Sequence, residues 1–516
     1  MISEDSMEIT TPAQITSAPV FPNPIKKFKP DIYDFIFAIA AFALGYLFSR
    51  WVLFSWEGWG VFLFTTLYLL SATAYLMRRN AFSASIETWF WLVITWLTGV
   101  SYALWQNEGF AVIRGVFLFC SAAYYILVAS GRLSMGKTSN FLPLDGINAV
   151  IILPFINFLN QYLSFTVLKR KDGKRSKLPP ILIGSVIAVV LMAILIPLLQ
   201  RADSGGFGRI LASFSAFFRY FLPAEYLLYC IPAVPVAGYL YGLVSGAAHD
   251  IGSDSTKPER VKRAVASMRI LQPPSVFIVL GAVCSLYLLF ILSQLPYFFS
   301  AFSGIRPEGW LVYADYARQG FFELSGIAAL NLTIITACNI VCKKTRSESV
   351  VLRVFNIALA IITMVLIVTA FSKMALYIGA YGLTMPRLLP CVFMVFLAAV
   401  FIALIVLQKW NFSIVRFALI TGAVILCALS LANPDAIVVR YNSAAFMSGS
   451  LNDYDSDVLY RSGAAGVLPA IEVYEWTDDE AIKKEISAYL NFQRELSQSQ
   501  RSHEISFESH RLGFRG

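Results

Sequence analysis

Charge is what this chain of 516 residues is shortest of: Asp, Glu, Lys and Arg together make up 14% of it, against 57% hydrophobic residues. An ordinary water-soluble domain carries charge at about a quarter of its positions, so that class is excluded. Histidine is scarcer still, with only His249, His503 and His510. A histidine-built metal centre or a His-activated nucleophile therefore has little to be made from, and no metal or cofactor is expected. The seven cysteines all fall in or beside apolar runs and give no disulfide framework. Cys338 and Cys342, one helical turn apart, read as a packed helix face. Acids and histidines are missing from the middle of the apolar runs, where proton-coupled carriers commonly place them. The deepest acid is Glu323, about a turn inside its run, with Asn331 and Asn339 further in.

What the chain does have is long apolar runs, each near the roughly 20 residues that a helix needs to cross a bilayer. About eleven are predicted, near 32–49, 58–77, 86–105, 110–130, 180–199, 224–246, 274–296, 320–341, 352–372, 388–408 and 413–432. In lipid every backbone polar group must be satisfied within the chain, which makes these runs helices. The fold class is therefore all-α, a polytopic transmembrane helix bundle with a small helical extramembrane C-terminal region. Residues 1–30 are polar and read as a disordered cytoplasmic tail, residues 31–432 as the bundle, and residues 433–516 as a periplasmic helical tail.

Basic residues set the expected orientation. Alternate gaps, among them those holding Arg78 and Arg79, Lys169 to Lys177, Lys257 to Arg269 and Lys343 to Arg353, contain about 24 Lys and Arg against nine in the others. The positive-inside rule places the rich gaps and the N-terminus in the cytoplasm and the C-terminus outside. Ile147 to Thr166 is also apolar, but it holds Pro154, Asn157, Asn160 and Gln161. It is expected to be interfacial or re-entrant, because as a full span it would send every later basic loop outward. From Asn433 onward the chain has 13 acids and 8 bases, so the basic balance comes from the membrane part and signals anionic lipid rather than nucleic acid. In this tail Thr477 and Glu480 are expected to form a capping box before Ile482, Ile486, Tyr489 and Leu490, which share one face.

Two motifs stand out. GRLSMGKT, with Gly131, Gly136, Lys137 and Thr138, satisfies the pattern of a phosphate-binding loop, yet an apolar span precedes it and Pro143 interrupts the residues after it. The strand and helix that such a loop requires are missing, and a basic cytoplasmic loop is the expectation. Gly238, Gly242 and Gly246 recur every four residues behind Pro232 and Pro235, the signature of close helix packing beside a bend.

Three strings beside outer span ends are rich in aromatic and charged groups: YADYARQGFFEL, KMALYIGAYGLTMPR and NPDAIVVRYN. Topology gathers them on one face, bringing Arg318, Lys373, Arg387 and Arg440 near Glu323 and Asp435, with Tyr377 and Tyr381 at the same mouth. Four cations against two acids favour an anionic lipid headgroup or small solute as ligand. Binding for transport or sensing is the first expectation. A membrane-embedded transferase or hydrolase on a lipid-linked substrate, or an envelope scaffold with a membrane or envelope protein partner, are the alternatives. No nucleophile or catalytic residue is apparent, and LNDYDSD, with Asp453, Asp455 and Asp457, lacks the glycine and closing acid of a calcium loop.

At YARQGFFEL, LYIGAYGLTMPR and NPDAIVVRYN, with looser agreement over Asp457 to Ala470, the chain resembles a family of bacterial polytopic membrane proteins known as a domain of unknown function, number 4173, close to number 4153. The resemblance covers most of the membrane region. It implies a bacterial inner-membrane location and carries over no catalytic residue.

Overall fold

The structure, a computed structural model, describes residues 28–106, 109–167, 224–251, 266–302, 313–500 and 505–508, with scattered positions at 181–201, 263 and 502. Its elements are helical, and the β pairing among the described residues is an isolated bridge between Leu271 and Cys342. In chain order we number α1 (Ile32–Leu53), α2 (Trp59–Arg78), α3 (Ile86–Leu104), α4 (Ala111–Ala129), the bent pair α5 (Leu142–Ile156) and α6 (Asn160–Val167), α7 (Ala224–His249), α8 (Pro273–Phe302), α9 (Tyr313–Val341), α10 (Val350–Tyr381), α11 (Met385–Leu407) and α12 (Ile414–Leu431). The C-terminal region adds α13 (Pro434–Met447), α14 (Asp457–Arg461), α15 (Val467–Trp476) and α16 (Glu480–Ser499).

Among the described residues nine helices are long and apolar enough to cross a membrane, or ten with the α5–α6 pair. Eleven were expected from the sequence. The run near 180–199 lies largely outside the described residues, as do residues 1–27 of the expected N-terminal tail. The third run forms α3, whose Trp, Thr and Ser residues dilute its hydropathy. Two contacts show that α3 nevertheless traverses the same thickness as α12. At one end Arg416 pairs with Glu87 at 2.5 Å, and at the other the Trp105 indole N–H donates to the Leu431 carbonyl at 2.9 Å.

The ends that carry Arg79, Arg132, Lys343, Arg346, Lys409 and Arg416 lie together and form a basic face. The opposite, far face holds the α1–α2, α3–α4 and α10–α11 connections and all of α13 to α16. Local sequence sets the helix ends. Asp31 and Asp34 build a capping box at the start of α1, Ser85, Ser349 and Ser413 cap α3, α10 and α12, and α10 stops at Gly382, whose φ of +77° suits a residue without a Cβ.

Two packed cores result. Helices α1 to α4, α5 and α7 share one around Phe37, Tyr68, Leu76, Tyr125 and Val244. Helices α8 to α11 share a second around Leu280, Phe321, Leu359 and Phe401. Helix α12 joins them, contributing Ala423 and Cys427 to the first and contacts from Ile414 and Ala418 to the second. A third, small core covers the far face, where Ile486 and Tyr489 of α16 bury against Leu459, Val467, Ala470 and Val473. The apolar face read in the sequence thus packs on the tail's own helices. The expected Thr477 cap is corrected: Asp479 caps α16 by accepting from the Ala481 amide, because Thr477 is occupied one step earlier as acceptor for the Asp479 amide.

Candidate functional site

Helices α5 and α6 meet at 45° across a break of a few residues, and their contacts explain the glycine repeat. A Cβ at Gly242 would overlap the Pro154 carbonyl, one at Gly246 would overlap the Asn157 side chain, and one at Gly238 would press on the Phe158 ring. Polar residues hold the segment in place. The Asn157 amide donates to the carbonyls of Leu153 and Ile251, the Gln161 amide to that of Ala38, and Ser164 bonds the Tyr241 hydroxyl at 2.6 Å. The partners on α1, from Phe35 to Phe42, and on α7 and just beyond it, from Gly238 to Ile251, all belong to the half of the bundle nearer the basic face.

Above the segment, toward the far face, the bundle holds a partly open cavity of about 590 Å³. This falls within the range of roughly 300–1,000 Å³ typical of ligand clefts. Phe155 and Phe158 form its floor, and its walls are almost wholly apolar, from Phe64, Tyr68, Ala122, Val236 and Leu240 among others. Trp56 lines its far side. The indole packs so tightly on Gly115 that a Cβ there would overlap the ring, and Trp56 itself holds a left-handed φ of +57°. That conformation is costly for a bulky side chain and persists only where its surroundings enforce it.

Charged groups gather at the same end. Arg114 is fully buried, lies 3.8 Å over the ring of the cavity-wall Tyr102, and donates from Nη1 to the carbonyls of Ser101 and Trp105 at 3.4 and 3.3 Å. Its Nε and Nη2 find no hydrogen-bond acceptor, while the charges of Glu57 and Asp435 lie near enough to act on it. Asp435 is itself buried, beside Gly109. Glu508 completes the group. Its Oε1 accepts from the Asn433 amide at 2.9 Å, it takes a bond from the Gln106 backbone, and burial beside Asp435 pushes its carboxyl up to about 7.

The predicted outer residues divide into separate places. Arg387 lies 4.2 Å over the Tyr377 ring and donates to the carbonyls of Tyr381 and Gly382, which closes the C-terminal end of α10. Tyr377 and Tyr381 sit edge to face, with ring centroids 5.3 Å apart. Lys373 is half-buried within reach of the Glu323 charge. Arg440 is exposed and acts on Glu508. Arg318 is on α9, and its side chain is outside the described residues. Asp435 therefore belongs with Arg114 and Glu508 at the rim of the first bundle, while Arg387 and its tyrosines belong to the second.

The sequence reading missed Trp56, Arg114 and Glu508, and also a network on the basic face. There the buried Asp34 accepts from the Tyr75 hydroxyl and pairs with His249 at 2.9 Å, and Arg79 reaches both Asp31 and Asp34. This network ties α1, α2 and α7 together. One signal for it was available: Asp31, Asp34, Arg79 and His249 all stand at span ends on one face. The GRLSMGKT loop lies nearby and binds the chain's own acids. The Thr138 amide and hydroxyl donate to Glu87, and those of Ser134 donate to Asp145. Carboxylates thus occupy the donors that a phosphate would need. Among the described residues no group of three or more His, Cys, Asp and Glu is arranged to hold a metal.

A family model described as a domain of unknown function (DUF4153) matches residues 92–473. Of the two neighbouring families named from the three far-face strings, the match corrects the first and retains the second. Trp56 and Glu508 lie outside the matched residues. No curated protein and no solved structure matches the chain.

Proposed function

The chain belongs to the DUF4153 family, and from its geometry we propose that it is a bacterial inner-membrane protein that takes the hydrocarbon chain of an anionic amphiphile into the far-face cavity, for transport or sensing. The observation that carries this reading is the cavity itself, almost wholly apolar, floored by Phe155 and Phe158 and lined on its far side by the strained Trp56. A void of this size deprives its lining of dispersion contacts, and a lipid chain restores them. Lipid tails are as apolar as the walls, so burial alone does not select a ligand. Selection falls to Arg114, which lies behind the wall residue Tyr102 and whose two donors without acceptors suit a phosphate or carboxylate headgroup. With the basic face in the cytoplasm, as the positive-inside rule requires, the cavity receives lipid from the outer leaflet.

Filling the cavity tests this. Ala122→Phe and Val236→Phe should abolish the lipid that copurifies with the protein in native mass spectrometry and leave thermal unfolding in detergent largely unchanged. Arg114→Gln should keep a bound chain but lose the preference for anionic over zwitterionic lipid. Equal lipid retention by wild type and both cavity variants would sink the proposal.

A further inference from the structure

We infer that Ile505–Glu508 is a proton-controlled latch that holds the Trp56 loop closed over the cavity. The inference rests on the cavity being a binding site, and its geometry is independent of any ligand. The segment touches the far face at two points. At one end the Ile505 carbonyl accepts from the Trp59 amide at 3.2 Å, immediately after the turn that carries Trp56 and Gly58. At the other, Glu508 is half-buried, bonded to Asn433 just before α13 and to the Gln106 backbone in the α3–α4 connection. Ser506 between them is fully buried. Four residues thus bridge the α1–α2 loop, whose Trp56 lines the cavity, to the α3–α4 connection and to α13.

The latch is sensitive to protons because of what faces Glu508. Asp435 and Arg440 come from α13, Asn433 from the turn before it, and the Gln106 backbone from the α3–α4 connection. Behind Asp435 stand Arg114 of α4 and Glu57 of the α1–α2 loop. The buried Asp435 and the half-buried Glu508 are two carboxylates that act on each other, and like charges this close resist joint ionisation. Burial and the Asp435 repulsion outweigh the help from Asn433 and Arg440. The docked carboxyl therefore titrates near 7, whereas its ordinary value is 4.5. Docking is favoured when Glu508 is protonated, and that advantage fades as the pH rises through 7. The two values make docking about 30-fold more favourable at pH 5.5 than at pH 8. When the latch releases, Trp59 loses its tie, and the strained Trp56 is free to swing off Gly115.

Hydrogen exchange on the full chain in lipid nanodiscs reads the latch directly through the Trp59 amide. After correction for intrinsic rates, its protection should drop about 30-fold from pH 5.5 to pH 8. Glu508→Gln, neutral throughout, should hold protection constant across that range, and Asp435→Asn should move the fall to lower pH. Wild-type protection that ignores pH, or a Glu508→Gln protein that tracks the wild-type curve, overturns the latch. Native mass spectrometry of the same samples keeps the two ideas separable. A latch that responds to pH while the cavity holds no lipid at either pH leaves the latch standing and removes the binding reading.

Discussion

At Gly242 one methyl group decides whether two elements fit. Its Cβ would overlap the Pro154 carbonyl and crowd the backbone at Asn157 and Phe158, none of which can rotate away. Gly242→Ala should therefore destabilise the protein by about 1–3 kcal/mol, the usual cost of overpacking. Gly379 of α10 is the control, since nothing lies within 4 Å of where its Cβ would stand. Gly379→Ala should stabilise by about 0.5–1 kcal/mol through helix propensity, and thermal unfolding in one detergent compares the two. The repeat Gly238, Gly242 and Gly246 was legible in the sequence as a packing face. That its partner is the bent α5–α6 backbone rather than one long straight helix was not, because small residues record only that something comes close. Arg114 and Glu508 were harder still. Each is an ordinary charged residue in a polar gap until folding removes its water, and only then do Tyr102, Glu57, Asp435 and Asn433 give it a role.

Among the elements, the α5–α6 pair does the most to shape the molecule. Pro154 and the Asn157, Asn160 and Gln161 cluster mark it as unfit for lipid, and their carbonyl and side-chain partners on α1 and α7 show where that polarity is satisfied. Because the segment packs only beside the basic-face half of α1 and α7, the other half of that space is left open and becomes the cavity. Both ends of the pair are expected on one side of the membrane. Ser139→Cys and Thr166→Cys, each in a background without reactive cysteines, should react with an impermeant maleimide from the same side, that of the basic face. Labelling from opposite sides would make the pair a full span and reverse the orientation of everything after it. Helix α3, expected from the run at 86–105, is a less apolar case. Its Trp and Thr residues lower its hydropathy, yet Glu87 and Trp105 tie it to both ends of α12, so that it runs the full length of a candidate span.

Across the whole molecule, two bundles joined by α12 carry a small third core on the far face. With the basic face in the cytoplasm, the N- and C-terminal regions should lie on opposite sides. A periplasm-dependent alkaline phosphatase fused after Gly516 should be active, and the same reporter fused after Arg79 inactive; equal activity at both positions would contradict the orientation. Sequence alone determined the membrane class, most of the spans and the two chemically distinct faces, because hydrophobic length and the scarcity of charge are properties of the chain that lipid and water read directly. The amphipathic face of α16 belonged to the same kind of information, as did the misfit polarity of 147–166. Tertiary structure decided where that misfit segment stops, which residues wall the cavity it leaves, and that Asp435 faces Arg114 and Glu508 while Arg387 closes α10. Those outcomes depend on contacts made only in the folded chain, from Arg387 on the neighbouring Gly382 to Asp435 near Arg114, whose energies arise from desolvation and close packing and leave no periodic trace along the chain.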